Sequence, residues 1–105
     1  MNILNEYAFK TITEEPIILD FSECESVWDI HELIRKKFGF HDNYGRNWDA
    51  LWDCMRDVFE DGKHSVEVHS FYSMNNNIQK ECKILFQIFD RVVETCCAFS
   101  YKIVD

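Results

Sequence analysis

The run Ile17-Ile18-Leu19-Asp20-Phe21 is followed after four residues by Ser26-Val27-Trp28-Asp29-Ile30-His31-Glu32-Leu33-Ile34-Arg35-Lys36-Lys37-Phe38-Gly39. The first run is short, apolar and β-branched, the composition of a buried strand. In the second, Val27, Ile30, Leu33, Ile34 and Phe38 recur with helical period. Ser26 stands where an N-cap belongs, with Asp29 three residues on, and Gly39 stands where the helix should stop. A strand feeding a helix is the unit from which parallel sheets are built.

Outward from this stretch the alternation continues. Phe40 to Arg46 is polar, with Asn43-Tyr44-Gly45 as turn chemistry. Asn47 can cap a second helix that places Trp48, Leu51, Trp52, Met55 and Phe59 on one face, with Asp61-Gly62 as its end. Ser65-Val66-Glu67-Val68-His69 alternates as a second strand, and Ser73 to Asn77 is a polar connection. Ile78, Cys82, Leu85, Phe86, Phe89, Val92 and Val93 mark a long helix, and Phe99 to Val104 alternates as a final strand. The order strand, two helices, strand, helix, strand predicts an α/β fold, a three-stranded parallel sheet packed by helices and joined by right-handed crossovers. Residues 1–15 form a lead-in before Pro16, with an edge strand expected at Tyr7-Phe9, and the whole of 1–105 is expected to be one domain.

Composition narrows the function. Hydrophobic content of 47% excludes a disordered chain, and one Pro with three Gly fits elements joined by short loops. A net charge of −8 disfavours direct binding of nucleic acid, because phosphate would be repelled, and suits a basic protein partner. Five Cys, an odd number without a repeated short-range pair pattern, do not suggest a secreted disulfide framework. No signal segment and no membrane-length apolar window is found, so the expected location is the cytoplasm, with no membrane partner. His31, His41, His64 and His69 lie on different elements without metal-ligand spacing, and no nucleotide-binding or nucleophile motif is present. Neither metal nor cofactor is expected. Cys54 and Cys97 are expected as buried, unpaired thiols.

The informative chemistry lies on the second helix. Asp49, Asp53, Asp57 and Asp61 follow at four-residue spacing and form one drifting ridge beside the apolar face. Like charges so spaced oppose helix formation by a few tenths of a kcal/mol per pair, and only the first gains clearly from the helix dipole. Local stability therefore does not explain the ridge. It is either an ordinary solvated face or a docking surface for cationic groups, to which Arg side chains of a partner could pair. Tyr44, Trp48 and Trp52 flank the acids and add the residue types of interface hot spots. By periodicity both Trp could instead be core, with one partly exposed at best.

At these residues a family resemblance appears. Tyr44-Gly45-Arg46-Asn47-Trp48-Asp49-Ala50-Leu51-Trp52-Asp53-Cys54-Met55 resembles the signature of the barstar family of nuclease inhibitors, Y-G-x-N-x-D-A-L-W-D-C-[LM]. The resemblance runs from about Ile17 to the C-terminus and excludes the lead-in. It implies a three-stranded parallel sheet, no enzymatic activity, and docking of the second helix and its preceding loop into a nuclease active site. Asp53 would be the central anchor at the site of the substrate phosphate, and Asp49 a second acid. Tyr44, Gly45, Asn47, Trp48 and Trp52 would line the docking loop and helix, with Asn43 at a binding position and Asp57 nearer the rim. The implied partner is a cognate basic nuclease toxin, most simply a ribonuclease, against which the chain acts as an immunity protein. Three positions depart from the family: Asn43 stands for an aromatic residue, Arg91 for an acid of the late helix, and Val58 for a Trp. They leave the anchor intact and alter the rim. Two other functions compete: an acidic binding module or nucleic-acid mimic that covers a basic surface without inhibiting it, and a small enzyme using Asp49 and Asp53 as paired acids.

Overall fold

The structure is a computed structural model, and it describes residues 10–59, 63–96 and 98–105. The strand expected at Tyr7-Phe9, Asp61-Gly62 and Cys97 lie outside the described residues. Three strands, β1 (Ile17–Asp20), β2 (His64–His69) and β3 (Phe99–Ile103), form one sheet in the order β1-β2-β3, with both pairings parallel. Helices α1 (Val27–Phe38) and α2 (Trp48–Val58) connect β1 to β2, and α3 (Asn76–Thr95) connects β2 to β3. The α/β fold expected from the sequence is the fold observed.

The element boundaries follow their caps. The Ser26 hydroxyl accepts from the Asp29 amide at 3.2 Å, and the Asp29 carboxylate accepts from the Glu25 amide at 2.9 Å. Gly39 closes α1 with φ of 72°, a left-handed conformation that only glycine adopts without cost. A Cβ there would also run into the carbonyl of Lys10, whose amide donates to the Gly39 carbonyl at 2.7 Å. Five boundaries differ from expectation: β2 starts one residue earlier, at His64, β3 stops one residue earlier, at Ile103, and three others have identifiable causes. Phe21 leaves the strand for a 3-10 turn, Phe21–Glu23, because the Asp20 side chain takes the Ser22 amide at 3.0 Å. Helix α2 ends at Val58, with the Phe59 amide donating to the Met55 carbonyl, before Asp61-Gly62 is reached. Helix α3 begins inside the expected connection, because Asn75 caps it by accepting from the Ile78 amide at 3.0 Å.

Among the described residues, the helices cover one face of the sheet. Ile17, Val66 and Tyr101 are in register, as are Leu19, Val68 and Ile103, and these side chains point at the helices. Ile18, Glu67 and Lys102 occupy the outer row, where Glu67 meets Lys102 at 3.8 Å and His69 at 3.2 Å. One-sided cover explains why β2 alternates instead of reading as the continuous apolar run of a doubly covered parallel strand. Aromatic side chains fill the space between sheet and helices. Phe59 packs edge-on to Phe38 at 5.0 Å and lies 4.9 Å from Phe99, which lies 5.7 Å from Phe89. This core fixes the inner side of α2, through Leu51, Cys54 and Met55, and leaves its other side to solvent.

Candidate partner-docking surface

Helix α2 starts where Asn47 accepts from the Ala50 amide at 2.8 Å, which puts Asp49 in the first turn, beside the positive end of the helix dipole. Asp49, Asp53 and Asp57 are all exposed along the solvent side. Asp53, in the middle, keeps 67% of its side chain in contact with solvent and makes one ion pair, with Arg56 at 3.0 Å. Asp61 lies outside the described residues. Asn43, Gly45 and Asn47 are exposed in the loop that precedes the helix, at the end nearest Asp49.

That loop is clamped to α1 by a charge network. Glu32 of α1 accepts from Arg46 Nε at 2.7 Å and from its Nη2, while Arg46 Nη1 donates to the backbone carbonyls of Asp42, at 3.1 Å, and Tyr44. The second Glu32 oxygen takes Arg35 Nη2 at 3.3 Å, and Arg35 Nη1 reaches the Asp42 carboxylate at 3.0 Å. The Arg46 hydrogen bond, reinforced by Arg35, holds the Glu32 carboxyl below the usual carboxylate range. Charge-assisted bonds to backbone carbonyls fix the loop's path and not only one side chain.

Beneath the loop is a buried polar pair. Tyr44 is 1% exposed and His31 is 2% exposed, with the tyrosine hydroxyl and His31 Nδ1 at 2.6 Å. Burial, followed by the nearby Arg46 cation, lowers the His31 pKa to about 4, so the ring is neutral at physiological pH. Desolvation pushes the Tyr44 phenol well above its ordinary value. Tyr44, expected to line the docking loop, is buried behind it in the free chain. Its ring faces the core, 5.2 Å from Phe40, and with its hydroxyl on His31 the side chain pins the loop.

Both tryptophans of α2 are half-buried, where periodicity had left at most one partly exposed. Trp48 stacks at 4.4 Å on His31 and donates from Nε1 to Glu81 of α3 at 3.3 Å. Trp52 carries the Arg91 guanidinium over one ring at 4.0 Å and the Arg56 guanidinium at 5.6 Å. Cys54 is buried as expected, and burial pushes its thiol up to about 11.

The structure thus brings Asn43, Gly45, Asn47, Trp48, Asp49, Trp52, Asp53 and Asp57 onto one continuous loop-and-helix surface, with Tyr44 behind it. Sequence reasoning missed Glu32, Arg35 and Arg46 as the clamp, and Arg91 as the neighbour of Trp52. It also passed over Trp28, which is 59% exposed and sits 5.3 Å from the Arg46 guanidinium at the edge of the same surface. Trp28 had a usable signal, since it falls outside the apolar period of α1. The contacts between α1 and the loop and between α2 and α3 join residues far apart in sequence, and no local pattern announces them. Among the described residues no group of His, Cys, Asp and Glu is arranged to hold a metal ion, and no helix is long and apolar enough to cross a membrane.

Comparison with known proteins agrees with this geometry. The family model described as "Barstar (barnase inhibitor)" matches residues 15–102, which include β1, β2, the three helices, β3 up to Lys102 and the candidate docking surface. The chain is also similar to a Bacillus subtilis (strain 168) protein named "Putative ribonuclease inhibitor YrdF", with 46% identity over 39 residues. That match spans 37% of this chain and 43% of the relative, so it covers less than half of either. The family match extends over most of the chain, and the chain belongs to the barstar family.

Proposed function

We propose that the protein inhibits a basic ribonuclease by inserting α2 and its preceding loop into the active site. In this reading it acts as an immunity protein in the cytoplasm of the cell that makes the cognate toxin. The observation that carries the reading is the ridge of Asp49, Asp53 and Asp57. It stands exposed on a helix whose opposite face is locked into the core, next to a loop clamped by Glu32, Arg35 and Arg46. A ribonuclease active site is built of cations placed to hold phosphate, and a carboxylate offers them the same charge-assisted hydrogen bonds. A surface held in shape beforehand loses little entropy on docking, which leaves more of the contact energy for affinity. The net charge of −8 adds long-range attraction that speeds encounter with a basic partner. The family's description and the relative's printed name support the same direction.

The test is Asp53→Ala, with Asp49→Ala and Asp57→Ala beside it, read by inhibition of RNA cleavage and by thermal melting. Removing Asp53 would leave partner cations buried and unpaired, a loss of roughly 2–5 kcal/mol in binding. The barnase–barstar pair is itself a reference case for that range, so the figure is carried over from the family. The free protein should melt as before, since Asp53 gives up only an exposed pair with Arg56 and is relieved of repulsion from Asp49 and Asp57. Asp57→Ala should cost the least binding. An Asp53→Ala variant that inhibits like wild type refutes the docking mode, and one that binds the nuclease without stopping cleavage points to a binding module instead of an inhibitor.

A further inference from the structure

Arg91 is an anomalous charge on the proposed docking surface. Its guanidinium carbon lies over Trp52, 4.0 Å from the ring centroid, and Trp52 sits on α2 directly before Asp53. The other cation at this ring, Arg56, is already paired with Asp53 at 3.0 Å. Arg91 has no carboxylate partner among the described residues. Its neighbour Asp90 accepts from the Tyr101 hydroxyl at 2.6 Å, on the side of α3 that faces β3. An acidic ridge therefore has beside it a cation with no carboxylate partner among the described residues, and the indole holds that cation in place.

We propose that Arg91 determines which ribonuclease the protein accepts, by selecting a partner that presents a carboxylate opposite Trp52. The proposal rests on the docking reading above. Docking excludes water from the surface around Asp53. A guanidinium caught there without a counter-ion would be costly, and one facing a lysine or arginine would be more so. A partner with an acidic side chain at that point meets a planar, bidentate donor already oriented by the ring. Arg91 thus works by rejection as much as by attraction: it excludes ribonucleases that are basic at this contact and admits those with a local acid.

The experiment uses barnase as the probe ribonuclease, because the family is described as its inhibitors. Wild type, Arg91→Ala, Arg91→Glu, Lys102→Glu and the Arg91→Glu protein with Asp53→Ala added are titrated against barnase, reading RNA cleavage and Kd. Lys102 lies on the outer row of the sheet, away from the helices, so Lys102→Glu changes net charge by the same amount at a remote place. Arg91→Glu should inhibit at least tenfold better than wild type, Arg91→Ala should fall between, and Lys102→Glu should gain no more than two- to threefold. An Arg91→Glu variant that inhibits no better than wild type overturns the proposal, including the case in which neither inhibits. So does an equal gain from Lys102→Glu, which would reduce the effect to overall charge. Asp53→Ala reports separately on the docking mode: if it leaves inhibition of barnase by the Arg91→Glu protein unchanged, the docking mode fails and not only the role of Arg91.

Discussion

His31 should make the protein sensitive to mild acid. Its ring is 2% exposed, shares a hydrogen bond with Tyr44 at 2.6 Å, supports Trp48 at 4.4 Å, and has its pKa lowered to about 4. In the unfolded chain a histidine titrates near 6.5. Above that value the ring is neutral in both states and pH has no effect through it. Below it the unfolded chain binds a proton that the native protein refuses, so stability falls as pH falls, down to about pH 4 where the native ring also charges. Between pH 7.5 and pH 5 these two pKa values correspond to a loss of about 2 kcal/mol. The assay is urea unfolding across this range for wild type and for His31→Gln, which cannot titrate. Carboxylates contribute equally to both proteins, so the difference in slope isolates the histidine and should approach one proton. Native-state NMR of the imidazole gives the second reading. A wild-type slope equal to that of His31→Gln, or a native midpoint near 6.5, would refute the burial argument.

Other perturbations have equally definite outcomes. Added salt should slow association with the nuclease far more than it speeds dissociation, because the field of the acid ridge is screened within about 10 Å at 0.1 M salt; stopped-flow rates independent of salt would contradict this. Arg56→Ala should change the melting free energy by no more than about 0.5 kcal/mol, since the pair it breaks is exposed, and should strengthen nuclease binding modestly by freeing Asp53. Cys54 and Cys82, whose thiols burial pushes up to about 11 and about 12, should resist a polar thiol reagent at pH 8 until the protein is unfolded. Labelling of either within the mixing time of the native protein would count against their burial.

The legible parts of the molecule were those written in short-range pattern. Ser26, Gly39 and Asn47 announced helix ends because capping is a bond between residues three or four apart. The parallel sheet followed from alternation of element types along the chain. Asn75 was missed because three asparagines in a row look like turn chemistry, and which of them caps is settled only by the packing of Ile78. The burial of Tyr44 was not legible for a related reason. A tyrosine in a polar loop beside interface-type residues has the composition of a contact, and its burial depends on His31, 13 positions earlier, offering a partner for the hydroxyl. The Arg46–Glu32 clamp and the Arg91–Trp52 stack likewise join separate elements and have no signature in any window of sequence.

The two-sidedness of α2 has an evolutionary consequence. Leu51, Cys54 and Met55 hold the helix in place, whereas Asp49, Asp53 and Asp57 touch no part of the core. Substitutions on the second set are nearly silent for folding, because exposed charges away from special features change stability by about 0.5 kcal/mol or less. A lineage can therefore drift through altered versions of the rim around Asp49 and Asp53 without passing through unfolded intermediates, while a toxin that changes its active-site rim imposes selection on those same rim positions. Such a scaffold can follow its target through successive rounds of substitution, and its sequence variation should concentrate on the rim, at Asn43, Asp57 and Arg91, with the inward positions and the two signature acids nearly fixed.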